Sequence, residues 1–228
     1  MTSKRKVLVL FMLCLLWFTI VTSLIMAAKR APPYANAKVS EFEYPDPPWF
    51  ASADAKAEAL PGYGYAYVYA YVYTSPAATS STASAGVEFN ANPVPGNSPV
   101  LGWVPFITGS ATIYVKGNIG SQGALSAKLY IGFDIYSYQQ GKWVHDPYKS
   151  KYVTLGEGVH NKTYKIEKTS DCSEDAGIVE EYTITSYTRA TAQCLGGAEC
   201  EAVVDFYTGK YPERVVFVSS LGLTWPGE

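Results

Sequence analysis

Ala124-Leu125-Ser126-Ala127-Lys128-Leu129-Tyr130-Ile131-Gly132-Phe133-Asp134-Ile135-Tyr136-Ser137-Tyr138 is the stretch whose reading decides the fold. Leu125, Ala127, Leu129, Ile131, Phe133 and Ile135 alternate with Lys128, Tyr130, Asp134 and Tyr136, a period of two that belongs to a strand with one face on a core and the other in water. Ile178 to Cys194 repeats the pattern, with Ile178, Tyr182, Ile184, Ala190 and Ala192 inward and Glu181, Thr183, Thr185, Arg189 and Gln193 outward. Shorter candidates are Ser110 to Lys116, Tyr152 to Leu155, Thr163 to Glu167, Cys200 to Tyr207 and Arg214 to Ser219, with Gly, Pro, Asn and Asp between them. His145-Asp146-Pro147 reads as one such turn. Adding Tyr63 to Thr74 and Gly86 to Phe89 brings the count to about nine strands, and no run of a dozen residues carries a helical apolar stripe. The expected fold is all-β: a two-sheet antiparallel sandwich of jelly-roll or immunoglobulin-like type over residues 62–228.

Upstream the chain changes character. Lys4, Arg5 and Lys6 precede an uncharged, largely apolar run over residues 7–28, closed by Lys29 and Arg30. As a helix that run would be about 33 Å long, enough to cross a bilayer, whereas its most apolar part, Val7 to Phe18, has the size of a signal-peptide core. Residues 1–30 are therefore expected to be a signal peptide or a signal-anchor transmembrane helix. The charge bias across the run places the C-terminal remainder of the chain outside the cytoplasm, either anchored at the cell surface or secreted after cleavage near Ala35-Asn36-Ala37. Residues 31–61, with Pro32, Pro33, Pro45, Pro47, Pro48 and Pro61, are expected to be a Pro-rich tether. Within it, Ser40 to Tyr44 could dock as a short strand and Ala53 to Leu60 could form a helical turn or two.

The whole chain is 228 residues, 48% hydrophobic and 17% charged, with a formal charge of −2. Five of its 18 Lys and Arg fall in the first thirty residues and none of its 20 Asp and Glu do, so the remainder carries 13 basic residues against 20 acidic, a charge of −7. An acidic exterior domain argues against nucleic acid as a partner. Outside the apolar run there are three cysteines. Cys194 and Cys200 flank a glycine-containing hairpin loop on the inward register of their strands, which predicts a disulfide between them, with Cys172 left over or competing for either.

Motifs for catalysis are absent: no GxSxG, no phosphate-binding glycine loop, no HExxH and no dinucleotide fingerprint. Asp171, Ser173 and Asp175 place oxygens at alternate positions, as calcium loops do, but Ala176 and Tyr182 stand where an EF-hand needs Gly and Glu. No other cofactor is expected. Glu180-Glu181-Tyr182-Thr183-Ile184 resembles in miniature a strand of the small jelly-roll xylanases, and the resemblance implies a glycoside hydrolase working through paired carboxylates. No second motif accompanies it, and the chain is expected not to be an enzyme. Asn161-Lys162-Thr163 is a glycosylation sequon at an expected turn.

The most unusual segment is Gly62 to Thr74, where Tyr63, Tyr65, Tyr67, Tyr69, Tyr71 and Tyr73 share one face and Gly, Ala and Val the other. Each tyrosine can bury about 150–250 Å², so an outward ladder would present an apolar patch far larger than a soluble monomer usually shows. Facing inward, it is core. Facing outward, it suits sugar rings or a neighbouring subunit, with Trp103, Trp143 or Trp225 as further platforms. Two functions fit. One is a structural or adhesive surface subunit that assembles with other copies by strand addition, donating the segment around Phe42 and Tyr44. The other is a carbohydrate-binding module for surface polysaccharide.

Overall fold

The computed structural model describes residues 51–60, 64–97, 105–207 and 214–225, and residues 36–46 as backbone. The hydrophobic helix expected over residues 1–30 lies outside the described residues, as do Tyr63 and Trp103. Among the described residues, no helix is long and apolar enough to cross a membrane.

The strands are β1 (Asn36–Asp46), β2 (Ala51–Ala59), β3 (Tyr65–Thr74), β4 (Ser80–Asn90), β5 (Val94–Pro95), β6 (Phe106–Gln122), β7 (Ser126–Gln139), β8 (Lys142–Leu155), β9 (Gly158–Asp171), β10 (Glu181–Leu195), β11 (Cys200–Phe206) and β12 (Val215–Thr224). A 3-10 turn, Ser173–Asp175, precedes β10. All pairings are antiparallel. One sheet, here sheet A, runs β1-β4-β10-β7-β8, with β5 pairing the start of β10. In the other, sheet B, β3 pairs β2 on one side and β11 on the other. The strands β11 and β12 share one lane between β3 and β6: β11 pairs residues 118–122 of β6 and β12 pairs residues 108–116. β9 closes that sheet on the far side of β6. The chain changes sheet repeatedly, as in a jelly-roll-like sandwich.

Alternation explains the packing. On β6, Ile107, Ala111, Ile113, Val115 and Ile119 are buried, and on β7 Leu129, Ile131, Phe133 and Ile135. With Ala66, Val68, Ala70 and Val72 of β3 and Ala202, Val204 and Phe206 of β11 they form one core between the sheets. Small and large residues complement one another there. A Cβ on Gly109 would lie 2.7 Å from the Phe133 ring, so this glycine makes room for the phenylalanine.

Several expectations are corrected. Leu125 and Ile178 are exposed, because each precedes its strand rather than lying within it, while Asp134, expected outward in water, is buried. Residues 51–59, expected as tether and helical turn, form β2: Ala51, Ala53, Ala55, Ala57 and Ala59 alternate with Ser52, Asp54, Lys56 and Glu58, and nine pairs with β3 override the helix preference of alanine. The strand expected at Ser40 to Tyr44 does dock, on β4, and is longer, eleven residues over 36–46, so among the described residues the β-structure reaches back to residue 36 rather than 62. Residues 80–85, all Ser, Thr or Ala, supply the first half of β4.

His145-Asp146-Pro147 is no turn. It lies in β8, where the register slips between Phe133 and Ile135 so that Asp146 and Lys151 lie opposite Ile135 and Phe133. The inserted residues form a bulge, which is how an edge strand accommodates a proline. Cys194 and Cys200 are joined by a disulfide with Cα atoms 5.9 Å apart, which pins the β10–β11 crossing between sheets. Cys172 is a buried thiol, pushed up by burial and by the nearby Asp175 carboxylate.

Candidate functional site: the outer face of sheet B

Ala66, Val68, Ala70 and Val72 are fully buried, which turns the tyrosines of β3 outward. Tyr67, Tyr69, Tyr71 and Tyr73 are half-buried by their neighbours and Tyr65 is exposed. Along a strand, alternate side chains recur at roughly 6.8 Å, so the five form a strip of about 27 Å. Register extends it sideways. Tyr65 pairs with Phe217, and Phe217 with Tyr114, so an aromatic row crosses the sheet from one end of the ladder. The rings of Tyr65 and Phe217 stack at 4.5 Å between centroids, and Tyr207 meets Tyr67 edge-on at 5.9 Å.

The rim is polar. Opposite the ladder on β2 stand Ser52, Asp54, Lys56 and Glu58, facing Tyr73, Tyr71, Tyr69 and Tyr67. On β11, Glu201 faces Tyr73 and Asp205 faces Tyr69. Lys56 lies 3.2 Å from Asp54 and holds its ammonium over the Tyr69 ring. Tyr73 donates to Glu199 at 3.3 Å and Tyr207 to Glu58 at 3.1 Å. Asp205 is buried and ion-paired with Arg214.

Burial, reinforced by Asp54 and Asp205, pushes the Tyr69 phenol up to about 12. Tyr71 is raised by burial and then by Glu201, and Tyr73 by desolvation and then by Glu199. Burial first, and then the acidic rim, favour the protonated phenols, which act as donors. The result is a surface with apolar ring area, hydroxyl donors and carboxylate acceptors in alternating rows.

The other sequence candidates fall elsewhere. Asp171 accepts from the Ser173 backbone N–H at 2.8 Å, an interaction that holds its carboxyl below the usual range. Asp175 instead faces Lys149 at 2.9 Å and Tyr182 at 2.6 Å. Asp171 and Asp175 are therefore committed to different partners. Among the described residues, no group of three His, Cys, Asp or Glu gathers to hold a metal. Asn161 lies within β9 rather than at a turn, exposed, and accepts from the Tyr114 hydroxyl at 2.8 Å. Trp225 is buried against Tyr182 and is no platform, whereas Trp143 is exposed beside Tyr138 on sheet A.

His145, Asp134 and Ser150 come together without forming a catalytic triad. His145 Nε2 lies 2.8 Å from Asp134 Oδ1 and 3.3 Å from Ser150 Oγ, so both approach the same ring nitrogen, whereas a triad uses opposite ones. The Ser150 hydroxyl also donates to the Asp146 carbonyl at 2.8 Å and accepts from the Ile135 N–H at 3.2 Å, which fastens the β8 bulge to β7. Phe217, Tyr207, Tyr114 and the β2 rim escape a reading of the sequence alone. Each lies in an alternating stretch, but only register across strands reveals that they adjoin the ladder.

No protein-family model matches the chain, and no curated protein does. Among solved structures it is similar to the family 11 carbohydrate-binding module from Clostridium thermocellum, solved with a β-1,3-1,4-mixed-linked tetrasaccharide. That similarity has 12% identity and a TM-score of 0.26, and covers 75% of this chain and 96% of that one. It is also similar to the structure of the infectious bursal disease virus Gx strain, at 10% identity and a TM-score of 0.21, over 82% of this chain and 39% of that one.

Proposed function

We propose that the chain is an extracytoplasmic, non-enzymatic β-sandwich that binds surface polysaccharide across the outer face of sheet B. The observation that carries this reading is the outward facing of Tyr65, Tyr67, Tyr69, Tyr71 and Tyr73. A sugar ring has apolar C–H faces and a hydroxyl rim. It therefore matches rings that alternate with carboxylates and hydroxyls better than it matches a uniformly apolar patch. A strip of about 27 Å suits several consecutive residues of an extended polymer. The Cys194–Cys200 disulfide fits an oxidising compartment. Binding of isolated monomers to immobilised polysaccharides tests the proposal: retention on at least one neutral polymer, lost when Tyr67, Tyr69 and Tyr71 become Ala, is expected, and absence of retention across a broad panel contradicts it.

A second reading, a surface subunit that assembles by strand exchange, is favoured by β1. This strand pairs along one side with the chain's own β4 over eleven residues and stands at an edge of sheet A. The same slot could be filled by β1 of another copy. The opposite edges are poorly suited to strand addition. There Lys151 Nζ donates to the Glu167 carbonyl at 2.8 Å and Lys168 Nζ to the carbonyls of Tyr148 and Ser150, which ties β8 to β9. Electron microscopy that shows filaments of the purified chain would favour this second reading; monomers at high concentration would remove it.

A further inference from the structure

We infer that Lys149 and Asp175 form an intramolecular isopeptide bond, with Asp146 as the proton carrier, that links the β8 bulge to the turn before β10. Lys149 is the one buried lysine among the described residues. Its Nζ lies 2.5 Å from Asp146 Oδ2 and 2.9 Å from Asp175 Oδ2, and all three side chains are largely shielded from water. Tyr182, itself buried, donates its hydroxyl to Asp175 Oδ2 at 2.6 Å.

One lysine in contact with two acids in a poorly solvated place supplies the groups that amide formation requires: an amine, a base to deprotonate it, and a carboxyl that reacts in its protonated form. The two acids have different settings. Asp146 Oδ1 accepts from the backbone N–H groups of Tyr148 at 3.0 Å and Lys149 at 3.1 Å, which ties this carboxyl to its own loop, only three residues from the lysine. Asp175 approaches from a different element. The N–H groups of Ile178 and Val179 bond to its backbone carbonyl, and its own N–H bonds to the Cys172 carbonyl. Asp146 is thus the base and Asp175 the acyl partner.

The step balances without any co-reactant. Asp146 takes a proton from the Lys149 ammonium, and the free amine attacks Cγ of the neutral Asp175 carboxyl. Tyr182 bonds the oxygen on which charge develops. Asp146 returns its proton to the departing hydroxyl, which leaves as water with the C–N bond formed, and the amine's second proton passes to Asp146. The product is a neutral amide, a neutral acid and one water. Two effects favour it. Reactants held in contact at fixed geometry gain the large effective concentration of an intramolecular reaction. Replacing buried charges by an amide also removes their desolvation cost. Burial pulls the Lys149 ammonium down, while the hydrogen bonds it donates to Asp146 and Asp175 more than offset this, so the amine is released only by proton transfer to its neighbour.

The test is mass spectrometry of the reduced full chain after trypsin. The expected result is residues 143–151 joined to residues 169–189, uncut after Lys149, at the summed mass less one water. Asp146→Ala is expected to leave the two peptides separate although both reacting groups remain, and Lys149→Arg to abolish the link. Recovery of the wild-type peptides only in separate form, cut after Lys149, overturns the proposal without reference to any variant. A link that forms equally fast in Asp146→Ala would remove the role given to Asp146.

Discussion

Both outer faces of the sandwich are rich in tyrosine, but they employ it differently. On sheet A, Tyr130, Tyr136, Tyr138, Tyr152 and Tyr187 share a face with Asp134, which is 6% exposed. Tyr152 donates to this carboxylate and packs edge-on against Tyr187 at 5.1 Å, while Tyr136 lies beside His145 and Tyr138 beside Trp143. The phenol of Tyr152 is strongly raised by burial and then by Asp134. On sheet B the buried carboxylate beside the ladder, Asp205, is ion-paired with Arg214, and the ladder's rings meet Phe217, Tyr207, the Lys56 ammonium and a polar rim. Aromatic content alone therefore does not mark a binding face. Sheet A uses its rings to hold a bulged edge strand, and sheet B leaves its own available to a ligand.

The largest effect is expected in the core that both faces share. Phe133→Ala opens a void beneath Gly109 and Ile135 and is expected to cost about 3–5 kcal/mol in chemical denaturation, with loss of order on both faces. Next, Asp134→Ala should cost about 2 kcal/mol by stranding His145 and Tyr152, while polysaccharide retention by the folded fraction stays unchanged. A reduction in retention equal to that of a ladder variant would erase the distinction between the faces. Replacing Cys194 and Cys200 by Ser removes a short-loop cross-link at the low end of the usual range, about 2 kcal/mol, and thermal melting measures it.

The smallest effect is electrostatic. Tyr69 has its phenol raised to about 12 in the folded chain from an ordinary value of 10.0. The neutral form is the one the fold favours, so this contribution is complete below about pH 10, where the unfolded phenol is also neutral, and is lost as pH rises toward 12. Because Tyr69 is half exposed, the loss should be small. Denaturation midpoints at increasing alkaline pH should fall less steeply in Tyr69→Phe than in the unchanged chain.

What the sequence reveals of this molecule depends on which interactions are local. Alternation in Leu129, Ile131, Phe133 and Ile135 shows a strand and its buried face, because period and burial are written in consecutive residues. The disulfide is legible for the same reason, two inward cysteines around a short loop. β2 is not, because Ala51 to Ala59 favours helix in isolation and becomes a strand through β3. Nor is the facing of the ladder, since either face of β3 alternates equally well. It is fixed by bulk on the other sheet: Leu129, Ile131 and Phe133 fill the interior and leave room only for Ala and Val. The burial of Asp134 is hidden because its hydrogen-bond partner His145 sits eleven residues away on the neighbouring strand.

The most direct measurement of the central claim is polysaccharide retention by two matched triple variants: Tyr67, Tyr69 and Tyr71 to Ala on sheet B, and Tyr130, Tyr136 and Tyr138 to Ala on sheet A. With each ring contributing about 0.5–1.5 kcal/mol, the sheet B variant should lose at least tenfold in affinity while remaining folded. The sheet A variant, measured on its folded fraction, should bind as the unchanged chain does. Equal losses in both, or none in the sheet B variant, would contradict the account.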